Sequence, residues 1–339
     1  MNATEAKGAA VVIPCLNEEA HIGRVIDELL ADEGWPDPLI VVADGGSTDR
    51  SREIVSAIAA RDPCVRLIPN PNRLQGAGMN VGARAVLGRR WMVRADAHAD
   101  YPPNYVSTLV AEAERTGAQS VVVSMLTQGR SCFQTAAAAA QNSILGNGGS
   151  AHRAGGTAGF VDHGHHALID LDRFLQLGGY DEGFTHNEDA EFDVRLTRGG
   201  GRIWMTDAVR ITYYPRASVP ALFRQYVNHG DGRARNILRN RIRPKLRQLA
   251  PAAVAPALVL ALASPAWAPL ALPALLWFFG SLASGLVLGL RQRSACACAS
   301  GAAAVTMHLG WSIGFWRRVL MSLGAQRPAR PATLAEGAR

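Results

Sequence analysis

The chain has 339 residues, 48% apolar and 19% charged, with a formal charge of +7, a length that allows one large domain and an appendage. The charge is unevenly placed: residues 232–339 hold fourteen Lys and Arg and one acid, Glu336, which leaves the front at −6 and the tail at +13. Such a front is ordinary for a globular domain, whereas a basic tail with apolar stretches suits a membrane surface and argues against nucleic acid.

The short polar N-terminus does not read as a signal peptide. Residues 9–14 are predicted as a buried strand ended by Pro14. Asn17 is positioned to cap a helix to about residue 30, with Glu18 and Glu19 in its favoured acidic first turn. Further strands are predicted at 39–43, 65–68 and 91–95, alternating with helices at 50–60 and 76–87. This alternation implies a parallel, doubly wound sheet whose ligands gather at the carboxyl ends of its strands. Asn17, Asp44 and Asp96 all fall at such ends.

A helix is predicted at 101–116 and a strand at 120–125. Residues 127–166 show little periodicity, and a long irregular stretch in a compact domain is usually functional or mobile. Short helices follow at 170–177 and 188–198, strands at 203–205 and 209–213, and a basic amphipathic helix at 222–238. The five cysteines are scattered and odd in number, which points away from a disulfide framework and towards a reducing compartment. Cys296 and Cys298 read as small apolar filler.

No charge occurs from residue 249 to residue 290, room for two membrane passes. Five prolines interrupt the stretch, costly in a soluble helix but tolerated in a bilayer. Residues 295–316 form a possible third segment. The basic runs around it favour the cytoplasmic side, but three crossings cannot keep all of them there. A buried helical subdomain is the plain alternative.

Several motifs carry chemistry. Asp96 and His98 are two apart at a strand end, so both can face one divalent cation on a diphosphate. Asp44-Gly-Gly-Ser-Thr-Asp49 places carboxylates around a tight turn that can meet a nucleobase or ribose, although a simple turn explains it too. Arg73, before Gly76 and Gly78, offers a fork to phosphate. His186-Asn-Glu188-Asp189 opens a helix; the acids either cap it or act as general base. Asp162-His163-Gly-His165-His166 is better suited to hydrogen bonds with phosphate or acceptor sugar than to a transition metal. Gln225 and Arg233 could meet pyrophosphate or anionic headgroups, or form a solvated juxtamembrane face.

The ordered set resembles family 2 glycosyltransferases of the GT-A fold, a mixed doubly wound α/β sheet, over about residues 9–240. The matching motifs are Val11-Val-Ile-Pro-Cys-Leu-Asn-Glu-Glu19, Asp44 to Asp49, Asp96-Ala-His98, Gly178-Gly-Tyr-Asp-Glu182 and Glu188-Asp189. Gln141-Asn-Ser-Ile-Leu-Gly-Asn-Gly-Gly-Ser-Ala-His-Arg153, Val161 to His166 and Tyr214-Pro-Arg-Ala-Ser218 are similar to the succinoglycan glucosyltransferase subgroup. The resemblance implies an inverting transferase that adds glucose from UDP-glucose to a lipid-diphosphate-linked saccharide, with its catalytic domain on the cytoplasmic side of the inner membrane. By resemblance, Pro14, Asn17, Glu18 and Asp44 meet the nucleotide, and Arg73 and Arg94 assist the phosphates. Asp96 and His98 hold Mn²⁺ or Mg²⁺, Asp189 is the base and Glu188 positions it or the acceptor. His163, His165, His186, Gln225 and Arg233 are weaker contacts to acceptor or phosphate.

His98 stands where the wider family has Asp, and imidazole suits Mn²⁺ better than Mg²⁺. Gln225 is not followed by the Arg-Trp of processive synthases, which implies single addition. A basic linker is expected at 241–248, membrane helices at 249–323 and a disordered tail at 324–339. The alternatives are a sugar nucleotidyltransferase, whose glycine-rich phosphate loop residues 14–24 lack, and a non-catalytic partner of a polysaccharide synthase.

Overall fold

The computed structural model describes residues 8–148 and 157–324; most of the tail expected at 324–339, and part of the Gln141 to Arg153 motif, lie outside them. The elements in chain order are β1 (Ala9–Cys15), α1 (Ile22–Leu30), β2 (Ile40–Asp44), α2 (Ser51–Ala59), β3 (Val65–Pro69), α3 (Gln75–Ala85), β4 (Trp91–Arg94), α4 (Tyr105–Thr116), β5 (Ser120–Thr127), α5 (Cys132–Gln141), α6 (Ile144–Asn147), β6 (Gly159–Val161), β7 (His165–Asp170), α7 (Leu171–Gln176), α8 (Glu188–Arg198), β8 (Ile203–Tyr213) and α9 (Val219–Asn240). The apolar helices α10 (Leu246–Ala252), α11 (Val254–Leu262), α12 (Leu272–Arg291), α13 (Ala295–Cys298) and α14 (Ser300–Gly324) follow.

The strands form one sheet in the order β3-β2-β1-β4-β7-β5-β8-β6. β1 to β4 pair in parallel, whereas β7 runs antiparallel to both β4 and β5. β1 and β2 are buried on both faces, which is why they read as unbroken apolar runs. Val11, Ile13 and Val93 pack with α1 and α4 on one side. Val12, Val41 and Met92 meet Met79, Phe174 and Phe192 on the other. The expected mixed doubly wound sheet is therefore present.

Four local expectations change. Asn17 does not cap α1: His21 occupies that position, and Asn17, at φ 57°, accepts a hydrogen bond from the Thr48 N–H at 2.8 Å. Contacts between the two loops outcompete the local helix signal there. The stretch 127–166 contains α5, α6, β6 and the start of β7. Ala136–Ala140 of α5 are all buried, so a helix of small residues enclosed on several sides carries no polar period to read. The strands expected at 203–205 and 209–213 are one strand, β8, whose pairing with β5 shifts between Val123 and Ser124. Finally, Cys132 and Cys296 form a disulfide from the start of α5 to α13. Their separation of 164 residues hid the pair, and Cys296 is not filler.

The charge-free stretch divides at its prolines. Pro251 lies inside α10, Pro256 inside α11, and Pro273 at the start of α12. Among the described residues one helix, Ala268–Arg291 with its leading 3₁₀ turn, is long and apolar enough to cross a membrane. α14 instead docks on α9 through glycines. A Cβ at Gly314 would lie 1.9 Å from the Val227 oxygen, and one at Gly230 would lie 2.0 Å from the Trp311 oxygen. Asp231 on α9 accepts from Arg317 at 3.0 Å and Arg318 at 2.6 Å.

Candidate functional site

The parallel strands bring the first half of the site together. Asp44 ends β2, and its carboxylate accepts the N–H groups of Gly46 at 3.0 Å and Ser47 at 3.2 Å. Arg52 sits 3.6 Å from its Oδ2. Arg73, at φ 62°, donates from Nε to the Gly45 oxygen at 3.0 Å. A Cβ at Gly45 would stand 3.3 Å from the Arg73 backbone, so glycine lets these two loops touch without crowding. Between them lies a cavity of about 580 Å³ whose rim includes Asp44, Arg52, Asn70 and Arg73. Pro14 lies near the end of β1, 3.1 Å from where a Gly78 Cβ would be. The Glu18 N–H donates to Ser51 Oγ at 2.7 Å.

Asp96 follows β4 and faces several partners. Gln75 Nε2 donates to its Oδ1 at 2.7 Å, and His165 Nε2 lies 3.5 Å from its Oδ2. Its own N–H donates to the Tyr101 hydroxyl at 2.6 Å. Burial works against the charge on Asp96, but Arg94, then His165 and His98, outweigh it and hold the carboxyl below its ordinary range. His98 Nδ1 lies 2.9 Å from Glu18 Oε1, and that hydrogen bond, opposed by burial, raises its pKa. Among the described residues no three His, Cys, Asp or Glu side chains form a ready-made metal cage. A carboxylate and an imidazole are donor types that a divalent cation accepts, with its other ligands coming from a bound phosphate.

Arg94 is committed elsewhere than to an incoming phosphate. Its Nη1 donates to Glu188 Oε1 at 3.1 Å, and its Nε lies 3.5 Å from Asp96 Oδ1. Burial depresses its basicity, but Asp96, Tyr180 and Glu188 more than reverse this. Glu188 is the opposite case: burial, with the Asp189 charge adding to it, raises its pKa against the pull of Arg94.

A second cavity, about 790 Å³, lies between the sheet and the apolar helices. Asn187, at φ 61°, turns the chain into α8, and its side chain donates to the His229 oxygen at 3.2 Å. A Cβ at position 232 would fall 2.5 Å from Asn187 Nδ2, so Gly232 makes room for the turn. Asp189, Glu188, His163, His165, His186 and Arg233 all border this cavity. His163 Nδ1 lies 2.7 Å from Asp193 Oδ2. His186 Nε2 lies 3.3 Å from Asn228 Nδ2, and burial lowers its pKa although Asp231 pulls the other way.

The structure thus brings His165, Glu188 and Asp189 to one cavity, with Asp96 3.5 Å from His165, and distributes the His-rich run. Asp162 pairs with Lys245, His163 with Asp193, and His165 with Asp96. Gln225 is outside the cavity, donating instead to the Tyr213 hydroxyl at 2.8 Å. Sequence reasoning missed Gln75, Tyr101 and Arg247. Gln75 sits two residues after Arg73 in a motif already singled out, whereas nothing local marks Tyr101 or Arg247.

The family model described as Glycosyl transferase family 2 matches residues 10–171. Over 312 residues the chain is 48% identical to the succinoglycan biosynthesis protein ExoA of Rhizobium meliloti (strain 1021), covering 91% of this chain and 94% of that one. It is 35% identical over 112 residues to the succinoglycan biosynthesis protein ExoO of the same organism, covering 33% and 31% of the two chains. A solved mannosyltransferase, PcManGT of Pyrobaculum calidifontis in complex with GDP-Man and Mn²⁺, superposes with a TM-score of 0.57 at 19% identity, over 90% of this chain and 88% of that one. With nearly half its residues shared along almost the whole of its ExoA relative, the chain belongs to glycosyl transferase family 2, and it is a glycosyltransferase of the GT-A fold.

Proposed function

We propose that this enzyme moves a hexose, glucose from UDP-glucose, onto a lipid-diphosphate-linked saccharide during exopolysaccharide synthesis, at the cytoplasmic face of the inner membrane, with inversion at the anomeric carbon. The observation that carries the reading is the single cavity bordered by Glu188, Asp189 and His165, with Asp96 3.5 Å from His165. Asp44, with Asn17, Glu18 and Pro14 beside it, receives the nucleoside, and Arg73, bordering the same cavity as Asp44, assists the phosphates. Asp96, with His98, would hold a divalent cation, Mn²⁺ or Mg²⁺, which when bound neutralises charge on the departing diphosphate.

The chain's own residues then have defined tasks. Asp189 accepts the proton of the acceptor hydroxyl as its oxygen attacks, a role worth about 10²–10⁴ in rate for a well-placed carboxylate. Glu188 lies against Arg94 and positions the start of α8. His163 and His186 line the acceptor side. The ExoA relative supports the polysaccharide setting, and the apolar helices support a lipid-linked acceptor.

The test uses purified full-length protein in detergent with UDP-glucose, Mn²⁺ and membrane-extracted lipid acceptors. The expected result is release of UDP with a one-hexose mass gain on the lipid. Neither product from wild type across a panel of nucleotide sugars would reject the reading in favour of a non-catalytic partner.

A further inference from the structure

Arg233 on α9 and Arg247 on α10 border the same cavity, and neither makes a hydrogen bond or ion pair among the described residues. The other arginine there, Arg94, is neutralised by Glu188 and Asp96. Two guanidiniums facing one half-enclosed space repel each other, and a single anion of high charge relieves both. Consistent with this, burial lowers the basicity of Arg233 and the neighbouring Arg247 adds to the effect, while Asp189 and Asp193 oppose it.

The wall beside this pair is of another kind. Leu145, Pro251, Met307 and Trp311 line it. Pro251 belongs to α10, and Met307 and Trp311 to α14, helices that also carry exposed apolar side chains: Leu249 is 46% exposed and Leu320 64%. The nucleoside end of the donor has its own cavity, bordered by Asp44 and Arg73. A cationic pair next to an apolar wall suits an amphiphile with a diphosphate head and a hydrocarbon tail.

We propose that Arg233 and Arg247 clamp the diphosphate of the lipid-linked acceptor, with the first units of its chain against Leu145, Met307 and Trp311. This rests on the transferase reading given above and names the acceptor's own anchor. The clamp sets acceptor binding and leaves donor binding untouched.

The probe is farnesyl diphosphate, titrated onto the full chain in detergent micelles, with farnesyl monophosphate and UDP–Mn²⁺ as comparators. The diphosphate is expected to bind at least tenfold tighter than the monophosphate. Arg247→Gln should weaken it about tenfold, and Arg233→Gln/Arg247→Gln should abolish it, while UDP–Mn²⁺ binding stays as in wild type. Arg247→Lys should retain part of the affinity, and thermal melting should show each variant folded; if the double variant does not fold, Arg247→Gln decides alone. Displacement of the probe by UDP–Mn²⁺ would assign the arginines to the donor. Equal binding by wild type and Arg247→Gln would overturn the clamp. Binding that obeys the arginines in a protein without sugar transfer would leave the clamp standing and reject only the transfer reading.

Discussion

Arg94 and Glu188 meet Nη1 to Oε1 at 3.1 Å, and their side chains are 6% and 7% exposed. The same guanidinium stands 3.5 Å from Asp96. One buried cation therefore joins the end of β4 to the start of α8, and holds the two halves of the site in register.

Removing that cation leaves Glu188 buried with no opposite charge. Breaking such a pair costs about 3–5 kcal/mol. Arg94→Met is expected to lower stability by that order in denaturant unfolding, and Arg94→Met/Glu188→Gln to recover part of it. An unchanged unfolding midpoint in the single variant would contradict the tie.

Asp189→Asn keeps the shape of the side chain and removes its basicity. On the proposed mechanism, turnover falls by about 10²–10⁴ while UDP–glucose binding stays near wild type by calorimetry. Loss of nucleotide binding in a folded variant would put Asp189 in another role.

Asp96→Ala removes the carboxylate to which Gln75 and His165 are oriented. Binding of UDP should then lose most of its dependence on added Mn²⁺, and chelator should have little further effect. A variant whose UDP affinity still rises with Mn²⁺ as in wild type would move the cation elsewhere.

His186 carries a pH signature. Burial lowers its pKa from the ordinary 6.5, so the unfolded chain takes up a proton at a pH where the folded chain does not. Stability from this group is present above 6.5 and is lost as pH falls from there towards the depressed folded value. The drop in melting temperature below pH 6.5 should be shallower in His186→Gln than in wild type. Superimposable profiles would remove His186 from the account.

Gly314→Ala places a methyl group 1.9 Å from the Val227 oxygen, and overpacking of this kind costs about 1–3 kcal/mol. The expected result is a lower melting temperature and faster proteolysis between α12 and α14, because α14 can no longer close on α9. Wild-type resistance would mean that the helices sit farther apart.

The sequence alone determined the alternating strands and helices, and with them the carboxyl-end placement of Asp44 and Asp96, because strands buried on both faces need unbroken apolar runs. It also marked Glu188 and Asp189, since acids at a helix start form a local pattern. Tertiary structure decided the rest. Asn17 abandoned its helix for Thr48, Arg94 turned from phosphate to Glu188, and Cys132 found Cys296 across 164 residues. Arg247 entered the cavity only because α10 folds back beside the site. Local spacing encodes how a segment repeats, but which charges share a buried space depends on packing between elements far apart in the chain, and no window of sequence contains that.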